Sequence, residues 1–287
     1  GEIRLTILSL FQQSDLSKER KMNRKGITLI ELLVALSISG ILVAGVYRTF
    51  VSQQHTYTVQ EQVVDMQQNV RLAINRMTRE IRMAGFGRMG ATASTFFGHG
   101  GMTVGSDTFN NVVIPGGGGT SVTVVGAYQA KTTLSAIAST GSNSIFVNDV
   151  SSFDTGTNQY ISINGLESHR IISIDVANKE LQFPGWDTLT DAHQPGEPVY
   201  LVMAITYSIG PFEGKSCLLR DDNLGAGPQP VAENVENLQF AYFDANGNPT
   251  ANPPDIRMIQ LTIIARTDKT DPELAKVGDG FRRRTLT

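Results

Sequence analysis

The pattern of hydrophobic and polar residues changes twice along the chain. From Ile27 to Tyr47 nearly every residue is apolar, and about twenty such residues suffice to span the hydrocarbon core of a bilayer. From there to residue 84, apolar residues recur every three or four positions, which predicts an amphipathic helix. Beyond residue 84, short alternating runs are separated by glycine and asparagine, which predicts antiparallel strands. The pattern therefore predicts an α+β fold.

The predicted helix has two parts, 27–47 and 48–84. The first part is expected to cross a membrane, and the second is expected to pack on an antiparallel β-sheet through one apolar stripe. This stripe consists of Val59, Val63, Met66, Val70, Ile74, Met77 and Ile81. A coiled coil is the alternative for the stripe, but it has few heptads to support it. The sequence "AGFG" after Met83 predicts the end of the helix.

Composition narrows the class of protein without naming a function. The chain has 287 residues, enough for a membrane segment and one sizeable domain or two small ones. Its formal net charge is −3, which does not call for nucleic acid as a partner. Cys217 is the single cysteine, so a disulfide framework is excluded, and we expect it to lie in a strand.

The first 26 residues precede the apolar run. Lys-Glu-Arg-Lys before Met22 can be back-translated to a purine-rich, ribosome-binding-like sequence. We therefore expect Met22 to be the start, with residues 1–21 a non-native upstream extension; a long basic leader is the alternative. Arg24 and Lys25 flank the apolar run, so the positive-inside rule places the N-terminal side in the cytoplasm.

Glu31 is a carboxylate near the start of a membrane-length segment. A charged side chain there is costly and usually marks a function. One interpretation is that Glu31 pairs with a cation on a neighbouring molecule; the other is that it snorkels to the membrane interface from the first helical turn. Gly26, directly before the run, lets the backbone approach a protease closely.

The stretch "KGITLIELLVAL" resembles the class III signal of type IV pilins and type II secretion pseudopilins. The resemblance implies a leader, residues 22–26, which a prepilin peptidase removes by cutting after Gly26. It also implies N-methylation of Ile27, where the family more often has Phe. Glu31 stands at the family's fifth mature position and would fix the register of subunit docking in the filament.

Parts of the remaining chain resemble the PilW family of minor pilins. The resemblance rests on "AGFG" and on residues 231–242 and 256–267. It implies a pilin-like β domain made of 85–133 and 202–287, with 134–201 as an inserted small all-β unit. We expect Phe183 and Trp186 to form the core of this unit, although a binding surface is the alternative.

Motifs for catalysis are absent from the sequence. The four histidines, His55, His99, His169 and His193, lack ligand spacing, and each is expected to be solvated or in a turn. The runs "RDDN" and "DANGN" could offer oxygens to Ca²⁺, but the second also suits a hairpin turn. We therefore predict no catalytic residue, cofactor or metal, and no enzymatic activity.

The resemblance implies a minor pilin that initiates or supports assembly of a type IV pilus. A type II secretion minor pseudopilin of the J type and an adhesive module at the pilus tip are the alternatives. The expected partners are prepilin peptidase, other major and minor pilins, and inner-membrane lipid before assembly, with no nucleic acid. The domain would lie in the periplasm of a bacterium and later in the extracellular pilus.

Overall fold

A computed structural model describes residues 26–87 and 101–287. One long helix is followed by antiparallel strands, which confirms the predicted α+β fold. The predicted extension 1–21, and the predicted leader apart from Gly26, lie outside the described residues. The elements are α1 (Leu29–Arg82), β1 (Met102–Val104), β2 (Asp107–Phe109), β3 (Val113–Pro115), β4 (Ser121–Thr133), β5 (Ser144–Phe146), β6 (Tyr160–Ile163), β7 (Glu167–Arg170), β8 (Ser173–Asp175), β9 (Glu180–Gln182), β10 (Pro198–Phe212), β11 (Lys215–Asp221), β12 (Gln229–Glu233), β13 (Val235–Phe243), β14 (Met258–Arg266) and β15 (Arg283–Leu286).

The chain divides into two compact units, Gly1–Tyr57 and Thr58–Thr287. In the second unit, the helical residues from Thr58 onward pack through the predicted apolar stripe. Met66, Val70 and Met77 of the stripe are buried, as is the neighbouring Ala73, and Val63, Ile74 and Ile81 are partly buried against the same core. The stripe belongs to one cluster with residues of the sheets, such as Val122 and Leu238. From Thr58 onward, packing of the helix on an antiparallel sheet is therefore confirmed.

The end of α1 is joined to strand β4 by backbone contacts. The helix ends at Arg82, and the Gly85 N–H donates to the Val125 carbonyl at 2.8 Å. Gly85 has φ +81°, a left-handed conformation that glycine adopts without steric cost. A Cβ on Gly126 would lie 2.6 Å from the Met83 carbonyl oxygen, so glycine is needed for this close approach.

The main sheet is built around the long strand β10. Its strand order is β12-β11-β10-β4-β3, and the β6–β7 hairpin adds to β10. All of these pairings are antiparallel. A second sheet has the order β13-β14-β15, and its buried side chains include Val235, Leu238, Phe240 and Tyr242.

The predicted insert, residues 134–201, contributes to two sheets. Strands β5, β9 and β8 form a small sheet of their own, whereas β6 and β7 extend the main sheet. Buried residues of the segment, such as Ile145 and Leu181, belong to the same core cluster as α1. Residue 201 falls inside β10, which begins at Pro198. Whether the segment is an insertion stays a prediction.

The two aromatic residues expected in the core of this segment have different environments. Phe183 is buried, whereas 56% of the Trp186 surface is exposed. The prediction for Trp186 is wrong because Gly185 and Trp186 occupy the centre of a β-turn, closed by a 2.8 Å hydrogen bond from the Asp187 N–H to the Pro184 carbonyl. Phe183 precedes that turn and fills the core position.

Candidate functional site at the N-terminus

Gly26 and Ile27 are accessible in the described structure. Gly26 lies in an exposed segment before the helix, and apart from its chain neighbours no atom lies within 4 Å of the position that a Cβ would take. Ile27 is 77% exposed. Both residues on either side of the bond that the sequence predicts to be cut are therefore exposed among the described residues. The assignment of Gly26 and Ile27 as processing residues stays a prediction.

Thr28 and Glu31 form a capping box at the start of α1. The Glu31 Oε2 atom accepts hydrogen bonds from the Thr28 N–H and from the Thr28 hydroxyl, both at 2.9 Å. In return, the Glu31 N–H donates to Thr28 Oγ1 at 3.3 Å. These bonds satisfy N–H groups that have no partner within a helix. In this structure Glu31 thus stabilises the helix start locally.

The capping role of Thr28 was not predicted, although the sequence carries the pattern for it. A threonine three residues before a glutamate, at the start of an apolar run, is the sequence pattern of a capping box. Helix capping is therefore a third interpretation of Glu31, beside pairing with a cation and snorkelling to the membrane interface. Capping does not exclude pairing, because both capping bonds use Oε2 of the carboxylate.

The helix surface after Glu31 is apolar and exposed. The side chains of Leu32, Leu36, Ile41 and Val46 are between 60% and 74% exposed, and similar values hold along the segment. This helix is long and apolar enough to cross a membrane, with a mean hydropathy of 2.4 in its most apolar window. Such a surface requires lipid or other apolar helices around it, because exposing it to water is costly.

The comparisons with known proteins concern this same segment. Residues 21–47 match the prokaryotic N-terminal methylation motif. The motif supports the pilin and pseudopilin class. It implies a substrate of prepilin peptidase that assembles with other pilins, and together with the apolar helix it is consistent with membrane anchoring before assembly. No curated protein and no solved structure matches the chain.

Glu80 lies near the end of α1, where the neighbouring Arg79 and Arg82 are exposed. The Glu80 side chain, however, is only 15% exposed. Its carboxylate accepts a 2.6 Å hydrogen bond from the Tyr207 hydroxyl and one of 3.0 Å from Arg220 Nε. Glu80 therefore fixes the helix to β10 and β11, and its role depends on residues far away in the sequence.

The other candidate residues lie in the core or close a turn. Cys217 is buried in β11, as predicted. The Asp244 carboxylate accepts the N–H groups of Asn246 and Asn248, both at 2.8 Å, so it closes its own turn. Among the residues that the structure describes, no group of three or more His, Cys, Asp or Glu side chains is arranged to hold a metal ion.

Two histidines are not solvated. His169 is 3% exposed and His193 is fully buried, so the expectation for these two is wrong. Each lies against one carboxylate nearby in the chain and one from a separate segment, and the distant partners could not be found from local spacing. His55 lies on α1, and His99 lies outside the described residues.

A cleft of about 660 Å³ lies in the second unit between the end of α1 and strand β14. Ile81 and Leu261 form part of its apolar wall, and Arg82 and Arg257 supply its charges. The described residues that line it include no histidine, cysteine, aspartate or glutamate. The cleft therefore presents none of the side chains that usually serve as general acid or base.

Proposed function

We propose that this chain is a minor pilin of a type IV pilus, whose N-terminal helix places it in the filament and whose β domain lies at the filament surface. The observation that carries the proposal is the methylation motif at residues 21–47, followed by an exposed apolar helix that continues into a folded β domain. In this role the chain initiates or supports pilus assembly and is not an enzyme.

Processing begins on the cytoplasmic side of the membrane. Arg24 and Lys25 hold the N-terminus there, and prepilin peptidase cuts after Gly26. The new amino group on Ile27 is methylated and keeps its positive charge. The β domain then lies in the periplasm, and the apolar helix remains in the inner membrane until the subunit enters the filament.

Docking uses the charge of Glu31. Glu31 lies four positions after Ile27, which corresponds to about 6 Å along a helix. An unpaired carboxylate in the apolar filament core is costly, whereas one paired with the Ile27 amine of a neighbouring subunit is much less so. Pairing therefore favours one axial register. Before docking, the capping box with Thr28 gives the same carboxylate a partner within its own chain.

Two substitutions separate docking from capping. Glu31→Gln keeps the capping box, since glutamine also serves at that position, but it removes the charge. Thr28→Ala removes the cap and keeps the charge. We expect Glu31→Gln to be cleaved normally yet to be lost from sheared pili, and Thr28→Ala to be incorporated.

The matched control is Glu61→Gln, at an exposed position of α1 outside the apolar segment. The measurement is quantitative immunoblotting of sheared filaments and membranes from cells that express the other pilins. Glu31→Gln subunits in filaments at the level of Glu61→Gln subunits would refute the docking role. Loss of Thr28→Ala from filaments, with normal incorporation of Glu31→Gln, would assign Glu31 to capping alone.

A type II secretion pseudopilus of the J type remains the alternative assembly, because the N-terminal motif is shared by both classes. Neighbouring genes for an outer-membrane secretion system, in place of pilus genes, would favour it. The exposed Trp186 favours a further function for the same subunit, namely adhesion at the pilus tip. Loss of glycan or surface binding in Trp186→Ala pili, with normal piliation, would support adhesion.

A further inference from the structure

Two buried histidines and three carboxylates form a continuous chain of contacts in the second unit. His169 places Nδ1 2.8 Å from Asp187 Oδ1 and Nε2 3.1 Å from Glu167 Oε2. His193 places Nε2 2.7 Å from Glu167 Oε1 and Nδ1 2.7 Å from Glu197 Oε2. The order of contacts is Asp187, His169, Glu167, His193, Glu197, and we call these five residues the ionic chain.

The geometry determines how many protons each imidazole carries. A neutral imidazole has one N–H and one lone pair, so it can donate to only one carboxylate. In the ionic chain, both nitrogens of each ring face a carboxylate oxygen. A neutral ring would therefore direct a lone pair at an anionic oxygen at about 3 Å, in a buried place where such repulsion is strong. With a second proton on each ring, the three contacts that have hydrogen-bond geometry become charge-assisted, and the 3.1 Å contact of His169 Nε2 with Glu167 becomes an ion pair.

Glu167 remains ionised at the centre of the ionic chain. Besides the two imidazoles, it accepts the Thr190 N–H at 2.7 Å, the Thr190 hydroxyl at 2.9 Å and the Asp191 N–H at 3.3 Å. Burial by itself raises the pKa of Glu167, but the hydrogen bonds from His169, Thr190 and His193 outweigh burial and lower it well below its usual range. The ionised Glu167 carboxylate thus lies between the two imidazoles of the ionic chain.

The ionic chain also holds the turn that exposes Trp186. Asp187 closes that turn through its N–H and contacts His169 through Oδ1, while its Oδ2 lies 3.3 Å from the Arg170 N–H. Phe183, on the other side of Trp186, stacks on the His169 ring with 4.6 Å between ring centroids. His169 therefore contacts the chain on both sides of Trp186.

We propose that the ionic chain is a pH-dependent lock, which fixes the Trp186 turn while the His169 imidazole is charged and releases it as the pH rises. The charged groups that face the imidazoles are Glu167 on β7, Asp187 in the turn and Glu197 before β10. The nearby Arg170 directs its Nε to Gln159 Oε1 at 3.0 Å.

The direction of the pH effect follows from the pKa of His169. Burial by itself lowers this pKa, but the hydrogen bonds to Asp187 and Glu167 outweigh burial and raise it to about 9. The ordinary value in an unfolded chain is about 6.5. The contribution of His169 is therefore complete below about pH 6.5 and is lost as the pH rises through 9. Glu167, whose pKa is lowered, also stabilises the folded chain, but its contribution is present at neutral pH and is lost only in acid.

The first test is histidine NMR on the full chain in detergent micelles, labelled with ¹⁵N at histidine. The four histidines are assigned by single His→Gln variants. At about pH 7.5, above the usual histidine pKa, we expect His169 to show the imidazolium signature of two protonated nitrogens. His55→Gln is the matched control variant. A neutral His169 ring, or nitrogen shifts that change on adding a chelator, would overturn the proposal; the second result would indicate a bound metal instead.

The second test uses Trp186, the single tryptophan, as a reporter of its own turn. Acrylamide quenching of its fluorescence is measured between about pH 6 and 10, the range in which the His169 contribution changes. We expect quenching to rise with a midpoint near pH 9 in the natural chain and in His55→Gln, and to be high and independent of pH in His169→Gln. The same midpoint in His169→Gln, or constant quenching in the natural chain, would refute the lock. The NMR test on the natural chain decides the matter if His169→Gln does not fold.

Discussion

Replacing Glu80 by alanine tests how the helix is fixed to the main sheet. Glu80 lies on α1, whereas Tyr207 and Arg220, which both donate to its carboxylate, lie on β10 and β11. The side chains of Glu80 and Arg220 are 15% and 13% exposed, so the substitution leaves a nearly buried cation behind.

The expected cost follows from the partners that remain. Removing one member of a buried ion pair costs about 3–5 kcal/mol, because the other charge stays buried and unpaired. Arg220 keeps a distant contact with Asp222, at 3.9 Å. Water also reaches both side chains to a small extent. We therefore expect Glu80→Ala to lower the free energy of unfolding by about 3 kcal/mol, near the lower end of that range.

The assay is urea unfolding of the full chain in a nonionic detergent, followed by the β-sheet signal in circular dichroism. A double-mutant cycle with Arg220→Ala isolates the pair, and we expect the double variant to lose at least about 1 kcal/mol less than the sum of the two single variants. The control is Arg76→Ala, because Arg76 is half exposed and contacts Glu80 at 3.4 Å. A loss below about 1 kcal/mol in Glu80→Ala, or additive effects, would refute this account of the anchor.

Two further substitutions test the packing of the helix against the sheets. Met77→Ala removes a fully buried side chain and is expected to cost about 3 kcal/mol in the same urea assay, whereas Leu72→Ala, on the exposed face, is expected to cost less than about 0.5 kcal/mol. Equal effects would contradict the assigned face. Gly126→Ala places a Cβ against the Met83 carbonyl and is expected to cost about 1–3 kcal/mol, whereas Gly117→Ala meets no atom within 4 Å. A neutral Gly126→Ala would show that the strand does not approach the helix this closely.

The sequence predicted those features that depend on neighbours in the chain. The apolar run, the stripe that ends at Ile81 and the alternating strands follow from periodicity alone. Asn164 and Gly165 are an example of the glycine and asparagine that separate the predicted strands, and both have the positive φ values that a tight hairpin turn requires. The N-terminal candidate site is local for the same reason, since Gly26 to Glu31 are consecutive.

Features that join distant segments could not be predicted in this way. Glu80 and Arg220 are 140 residues apart, so nothing local marks them as partners. Glu167 and His193 are 26 residues apart and meet only once their strands are placed. The prediction that Trp186 lies in the core was wrong, although large aromatic residues are highly buried on average. The β-turn that exposes Trp186 depends on the backbone conformation, which the pattern of side chains did not reveal.

The central claim is that the chain is processed as a pilin, and the N-terminus of the mature protein tests it most directly. The chain is expressed with and without an active prepilin peptidase, and the product is analysed by intact mass and N-terminal sequencing, with a known pilin as the positive control. The account predicts a product that begins with N-methylated Ile27, formed only when the peptidase is present. A product that still begins at or before Met22, while the control pilin is cleaved, would contradict it and leave only a plain membrane anchor.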